Sequence, residues 1–178
     1  CSLKGRQIPR LPGMKDVDGS SENQTRLIED ALSEYFEGEG FSIIDTPLLE
    51  QTELFIRKSG GALTSRLYSF TDPGGNKVSI RPEFTSSVIR AFIQLGKPTV
   101  LPLRQHYCGP VLRFDDSNSE YRQFTQVGAE IIGDEQTEAD ADIVRLAWES
   151  LSRIGMKGHC IRIGNLSVLK TILDTYGL

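Results

Sequence analysis

Apolar residues recur along this chain with two different periods, and the changes from one to the other divide it into elements. Leu27, Ile28, Ala31, Leu32, Tyr35 and Phe36 fall at helical spacing, on one face of a 3.6-residue turn. Ser21 followed by Gln24 is a capping-box pattern, and Gly38 and Gly40 close the segment, so a helix is predicted between them. Residues 41–47 read as a strand stopped by Pro47. Residues 66–71 and 77–81 read as two strands joined by Asp72-Pro73-Gly74-Gly75-Asn76, a strong turn signal. A helix starts near Pro82, with Phe84, Val88, Ile89, Phe92 and Ile93 along one face.

Two longer strands follow, about 100–115 and 120–132, flanking the polar loop Asp116-Ser117-Asn118-Ser119. A helix over about 137–154, a short strand over 159–163 and a helix over about 166–176 complete the pattern. Residues 5–19 hold two prolines and three glycines and are expected to run as an irregular arm. Strands joined by short turns, with helices between groups of strands, imply an α+β fold: a mainly antiparallel sheet backed by helices on one side. Regular βαβ alternation, a GxGxxG and a P-loop are all absent, which argues against a Rossmann or Walker nucleotide site.

Composition sharpens this only slightly. The chain has 178 residues, 38% hydrophobic and 25% charged, enough for one domain with a real core. No apolar run approaches the roughly 20 residues of a membrane span, and the first thirty residues carry no secretion signal. The expectation is a soluble cytoplasmic protein whose start, at Cys1 rather than Met, has been trimmed. A net charge of −4 shows no free-standing RNA surface, although a nucleotide pocket needs only a few placed arginines. Cys1, Cys108 and Cys160 are odd in number and far apart, and His106 and His159 are not at ligand spacing, so no metal site is expected.

Candidate chemistry concentrates in the long hairpin. On its second strand, alternation puts Arg122, Phe124, Gln126, Gly128, Glu130 and Ile132 on one face. An amide and a carboxylate on a central-looking strand need partners, and a polar ligand over Gly128 would supply them. The plainer alternative is the solvated face of an edge strand. Tyr107, Gly109, Val111, Arg113 and Asp115 share a face of the first strand. Arg113 there either grips a phosphate with forked hydrogen bonds or pairs with Asp115 or Asp116. Glu83 and Thr85, at a strand-to-helix passage, either cap the helix or converge on an ammonium group.

Taken together, these segments resemble class II aminoacyl-tRNA synthetases of the histidyl type, together with their non-catalytic relative, the regulatory subunit of ATP phosphoribosyltransferase. Ile8-Pro9-Arg10-Leu11-Pro12-Gly13-Met14-Lys15-Asp16 is similar to the family's opening arm. The first helix with Gly40-Phe41 to Pro47 resembles motif 1, whose strand builds the dimer interface. Leu67 to Asp72 and Ile80-Arg81-Pro82-Glu83-Phe84-Thr85 resemble the paired strands and the amino-acid-binding turn. Gly109 to Asp115, then Tyr121 to Glu130, resembles motif 2.

The resemblance implies that Glu83, Thr85 and Gln126 hold the α-ammonium of histidine, that Glu130 accepts from the imidazole, and that Arg113, with Asp115, contacts ATP. It implies histidyl-adenylate formation with ATP and Mg2+, with tRNA(His) as the further partner and a homodimeric assembly. Two departures stand out: Asp115 replaces the family's glutamate, and Asp116-Ser117-Asn118 replaces a basic Arg-Pro-Gln loop. Motif 3, a Tyr-rich histidine segment and the anticodon-binding domain would lie beyond Leu178, so residues 1–178 are expected to be a partial core. The retained binding residues favour a histidine–tRNA ligase. The acidic loop and Ile161 to Leu169 favour the alternative, a histidine-sensing regulator that acts on the ATP phosphoribosyltransferase catalytic subunit. A bare dimerisation domain is the third alternative.

Overall fold

Asp18, rather than Ser21, begins the first helix. In the computed structural model, which describes residues 8–59, 64–96, 100–115 and 121–177, the Asp18 carboxylate accepts the Ser21 amide at 3.0 Å. Helix α1 therefore runs Gly19–Gly38, with its N-cap ahead of the predicted box. Gly40, at φ 81°, takes the left-handed conformation that turns the chain out of α1 into the next strand.

That strand, β1, is only Ser42–Ile43. It is followed by β2 (Leu49–Gln51), helix α2 (Thr52–Ser59), β3 (Ser69–Thr71), β4 (Lys77–Ile80) and α3 (Thr85–Gln94). The hairpin strands are β5 (Leu103–Leu112) and β6 (Gln123–Ile132), and α4 (Thr137–Arg153) and α5 (Leu166–Tyr176) follow. Two three-stranded sheets result, ordered β1-β5-β6 and β2-β4-β3. All pairings are antiparallel except β1 with β5. The α+β, mainly antiparallel expectation therefore holds.

Three details differ from the sequence reading. Residues 159–163 form no strand, because a strand needs a neighbour to hydrogen-bond and none of the described strands pairs with this stretch. Strand β6 is an edge of its sheet, not a central strand. Helices also approach both faces of that sheet. Val127, Ala129 and Ile131 pack on the core formed by Leu32, Tyr35, Phe36, Phe41 and Leu146, from α1, the segment after it and α4. On the opposite face Tyr107 and Val111, with Phe124 and Ile132, meet Phe84 and Val88 at the start of α3. The loop at 116–119, the strand start at Glu120, the arm before Ile8 and Cys1 lie outside the described residues.

Ion pairs tie the first core together. Arg104 on β5 bonds Asp142 on α4 at 2.7 Å, Arg145 bonds Glu149 at 2.9 Å, and the Tyr35 hydroxyl on α1 donates to Glu149 at 2.7 Å. The Arg104 and Arg145 guanidiniums hold the Asp142 carboxyl below its ordinary range, the Arg104 hydrogen bond being the larger cause. Helix α5, by contrast, buries no residue and leaves Leu166, Leu169, Ile172 and Tyr176 exposed.

Candidate histidine and nucleotide site

The register of the hairpin decides which polar groups meet. Tyr107 lies opposite Gly128, Gly109 opposite Gln126 and Gln105 opposite Glu130. Cross-strand partners share a face, so Tyr107, Gly109, Gln126, Gly128 and Glu130 all lie on the face away from α1 and α4. The turn between β4 and α3 comes down onto this face and brings Glu83 and Thr85 with it.

Thr85 and Glu130 meet directly: the threonine hydroxyl donates to Oε1 of the carboxylate at 2.7 Å. The Tyr107 hydroxyl reaches the same oxygen at 3.3 Å, long for an O–H···O bond. Burial first, and then the Glu130 charge, push the Tyr107 hydroxyl up to about 12, so it remains a proton donor at neutral pH. Further along the same face of β6, Oε1 of Gln126 is buried and has no hydrogen-bond partner among the described residues. A buried amide oxygen left unpaired costs about 1–3 kcal/mol, and a ligand N–H would remove that cost.

Glu83 does cap the helix, as one reading expected: both its carboxylate oxygens lie 3.1 Å from the Ser86 amide. Thr85 does not share that role, since its hydroxyl is turned to Glu130. Arg113 is tied to the same turn. Its Nε donates to the Pro82 carbonyl at 2.8 Å, and its guanidinium lies 5.2 Å from the centre of the Phe124 ring. Asp115 is engaged by Arg66, with Nη2 to Oδ2 at 3.1 Å. Glu83, Thr85, Arg113, Gln126 and Glu130 thus gather around one turn and one strand face, while Asp115 stands at the hairpin mouth.

Two residues escaped the sequence reading. Tyr107 was placed on the right face but given no role; its position opposite a glycine was the available signal. Arg81 is 4% exposed. It donates from Nε to the Pro110 carbonyl at 3.0 Å and from Nη1 to the Thr46 carbonyl, and it stacks on Phe84 at 3.9 Å. Nothing in the alternation marks it, because its partners are backbone carbonyls distant in sequence. Among the described residues no group of three His, Cys, Asp or Glu gathers to hold a metal ion.

The family model described as Histidyl-tRNA synthetase matches residues 13–178. The chain belongs to the histidyl-tRNA synthetase family. It is 37% identical over 167 residues to a histidine–tRNA ligase of Methanococcus vannielii, covering 93% of this chain and 40% of that protein. Among solved structures, an ATP phosphoribosyltransferase regulatory subunit/histidyl-tRNA synthetase from Bacillus halodurans superimposes with a TM-score of 0.76 at 28% identity, over 86% of this chain and 40% of that one. Apo histidyl-tRNA synthetase of S. aureus gives 0.71 at 30% identity, over 86% and 36%. These two likenesses carry the class II synthetase-like core fold. The chain spans about 40% of the length of the curated relatives it matches.

Proposed function

We propose that this chain is the histidine- and ATP-binding part of a histidine–tRNA ligase core, which forms histidyl-adenylate before transfer to tRNA(His). One observation carries the reading: Thr85 and Tyr107 converge on Glu130, and further along the same face of β6 the buried Oε1 of Gln126 has no hydrogen-bond partner among the described residues, in a chain of this family. Glu83, Thr85 and Gln126 hold the α-ammonium of histidine, and Glu130 accepts an imidazole N–H. Arg113, tethered to the same turn through Pro82, sits between histidine and ATP and contacts the α-phosphate and the substrate carboxylate. Asp115 contributes on the ATP side from its place beside Arg66.

In this reading a carboxylate oxygen of histidine attacks the α-phosphorus, forming the acyl–phosphate bond. The bond to the β-phosphate bridging oxygen breaks, and its electron pair leaves with pyrophosphate. No protein nucleophile is needed; the residues act by placing the two reactants and by setting the Arg113 cation against charge that grows on phosphorus. Mg2+ bound with ATP would offset negative charge on its phosphates, beside the Arg113 cation.

Residues 1–178 act as a part-length core carrying motifs 1 and 2, in a cytoplasmic homodimer whose contact runs through α1 and β1. Exposed Leu27, Ile28 and Ile43 on these elements support that contact. No helix among the described residues is long and apolar enough to cross a membrane.

The test is histidine-dependent exchange between ATP and pyrophosphate by the protein that carries this chain. Exchange is expected, with a loss of about 100-fold or more in Arg113→Ala. Histidine binding with no exchange would instead place the protein with the histidine-sensing regulators.

A further inference from the structure

The Tyr107 ring is held more firmly than a single hydrogen bond to Glu130 requires. It is 4% exposed and stacks on Phe84 with ring centroids 4.5 Å apart and planes within 6°. Phe84 is itself fully buried, and the Arg81 guanidinium closes its ring at 3.9 Å. Two glycines make room for this stack. A Cβ on Gly109 would lie 2.8 Å from Arg81 Nη2 and 3.0 Å from Phe84 Cζ, and a Cβ on Gly128 would lie 2.5 Å from Tyr107 Cζ. Arg81, Phe84 and Tyr107 therefore form one column, and its last polar atom is the phenol oxygen beside Glu130.

We propose that Tyr107 is a positioning residue that fixes Glu130 as an acceptor and so makes the pocket select ligands bearing a ring N–H; this rests on the histidine-site reading above. The hydroxyls of Thr85 and Tyr107 both point at Oε1 of Glu130. Thr85 holds that oxygen at 2.7 Å and Tyr107 approaches it at 3.3 Å, leaving the other oxygen for a ligand. An ionised carboxylate is acceptor-only, and the Tyr107 phenol keeps its proton at neutral pH. A ligand must therefore bring the donor. A ring nitrogen that carries a methyl group in place of hydrogen leaves the second oxygen of this part-buried carboxylate without the ligand's donor, and sites of this kind discriminate strongly against such analogues.

The experiment compares histidine with its Nπ-methyl and Nτ-methyl derivatives by calorimetry, in the unaltered protein, Tyr107→Phe, Glu130→Gln and the double variant. Phenylalanine keeps the stack and removes only the hydroxyl. The unaltered protein is expected to prefer histidine by about 100-fold or more over the isomer whose methyl replaces the N–H facing Glu130. Tyr107→Phe should narrow that ratio about tenfold with an unfolding midpoint close to the parent's, and should change it by less than about twofold when Glu130 is already glutamine. An unchanged ratio in Tyr107→Phe overturns the role of Tyr107 and leaves the histidine site standing. An unaltered protein that does not bind histidine overturns the site itself and the present inference with it.

Discussion

The Tyr107 ring fills the space that a side chain on Gly128 would need: a Cβ there would stand 2.5 Å from the ring Cζ. The two residues are direct cross-strand partners, and the ring is pinned from behind by Phe84. Gly128→Ala must therefore displace the phenol from Glu130 or spread the strands. A loss of about 1–3 kcal/mol is expected from such overpacking, read by guanidinium unfolding, together with weaker histidine binding. An alanine variant as stable as the parent would show that the ring has somewhere else to go.

Arg81 joins β4 to the chain around Thr46 and to β5, through the Thr46 and Pro110 carbonyls, with Asp45 at 3.6 Å. Burial lowers its affinity for the proton, and Asp45 partly restores it. Arg81→Leu leaves the buried Thr46 carbonyl without its donor and removes the bond to Pro110, and a loss of about 1–3 kcal/mol is expected. Since Arg81 also backs Phe84, histidine affinity should fall along with stability. Unfolding curves that overlay those of the parent would contradict this.

These two predictions rest on residues that differ in how far the sequence discloses them. Alternation along β6 was enough to put Gln126, Gly128 and Glu130 on one face, and periodicity located α5 at its observed bounds, Leu166–Tyr176. Both are local patterns, repeated over ten or more residues. Helix α2 and strand β2 were not foreseen: β2 is three residues long and exists because β4 pairs with it, a contact some thirty positions away in sequence. The Asp18 cap was missed because Ser21 and Gln24 offered a better-looking box one turn later. The motif resemblance supplied the roles of Glu83, Thr85, Gln126 and Glu130. It gave no role to Arg81, Phe84 or Tyr107, and Tyr107 joins the other two only in three dimensions.

His106 gives a pH dependence of known sign. Its ring is fully buried, stacks on Phe36 at 5.9 Å and has neither nitrogen hydrogen-bonded among the described residues. Burial lowers its proton affinity from the ordinary value of 6.5, and Glu37, with Oε1 3.8 Å from Nε2, offsets this only in part. The unfolded chain therefore takes up the proton first as pH falls. The stability tied to neutral His106 is complete above about pH 6.5 and is lost as pH drops from there through the lowered folded value. In His106→Phe the decline in stability as pH falls below about 6.5 should flatten. A variant with the parent's slope would assign that decline to other groups.

Exposed apolar side chains on α1 and β1, Leu27, Ile28 and Ile43, predict self-association. Sedimentation should show a dimer at micromolar concentrations and a shift toward monomer in Ile43→Asp, since a charge buried without a partner costs several kcal/mol. A stable parent that stays strictly monomeric at high concentration would remove this surface from the interface.

Histidine titrated into the protein by calorimetry, with Glu130→Ala as the control and Mg-ATP added afterwards to the same cell, tests the central reading most directly. Saturable histidine binding that is lost by about 100-fold or more in the variant, followed by a further heat on adding ATP, is the predicted result. Binding that survives unchanged in Glu130→Ala would contradict the placement of the imidazole on β6, and no binding at millimolar histidine would contradict the site as a whole.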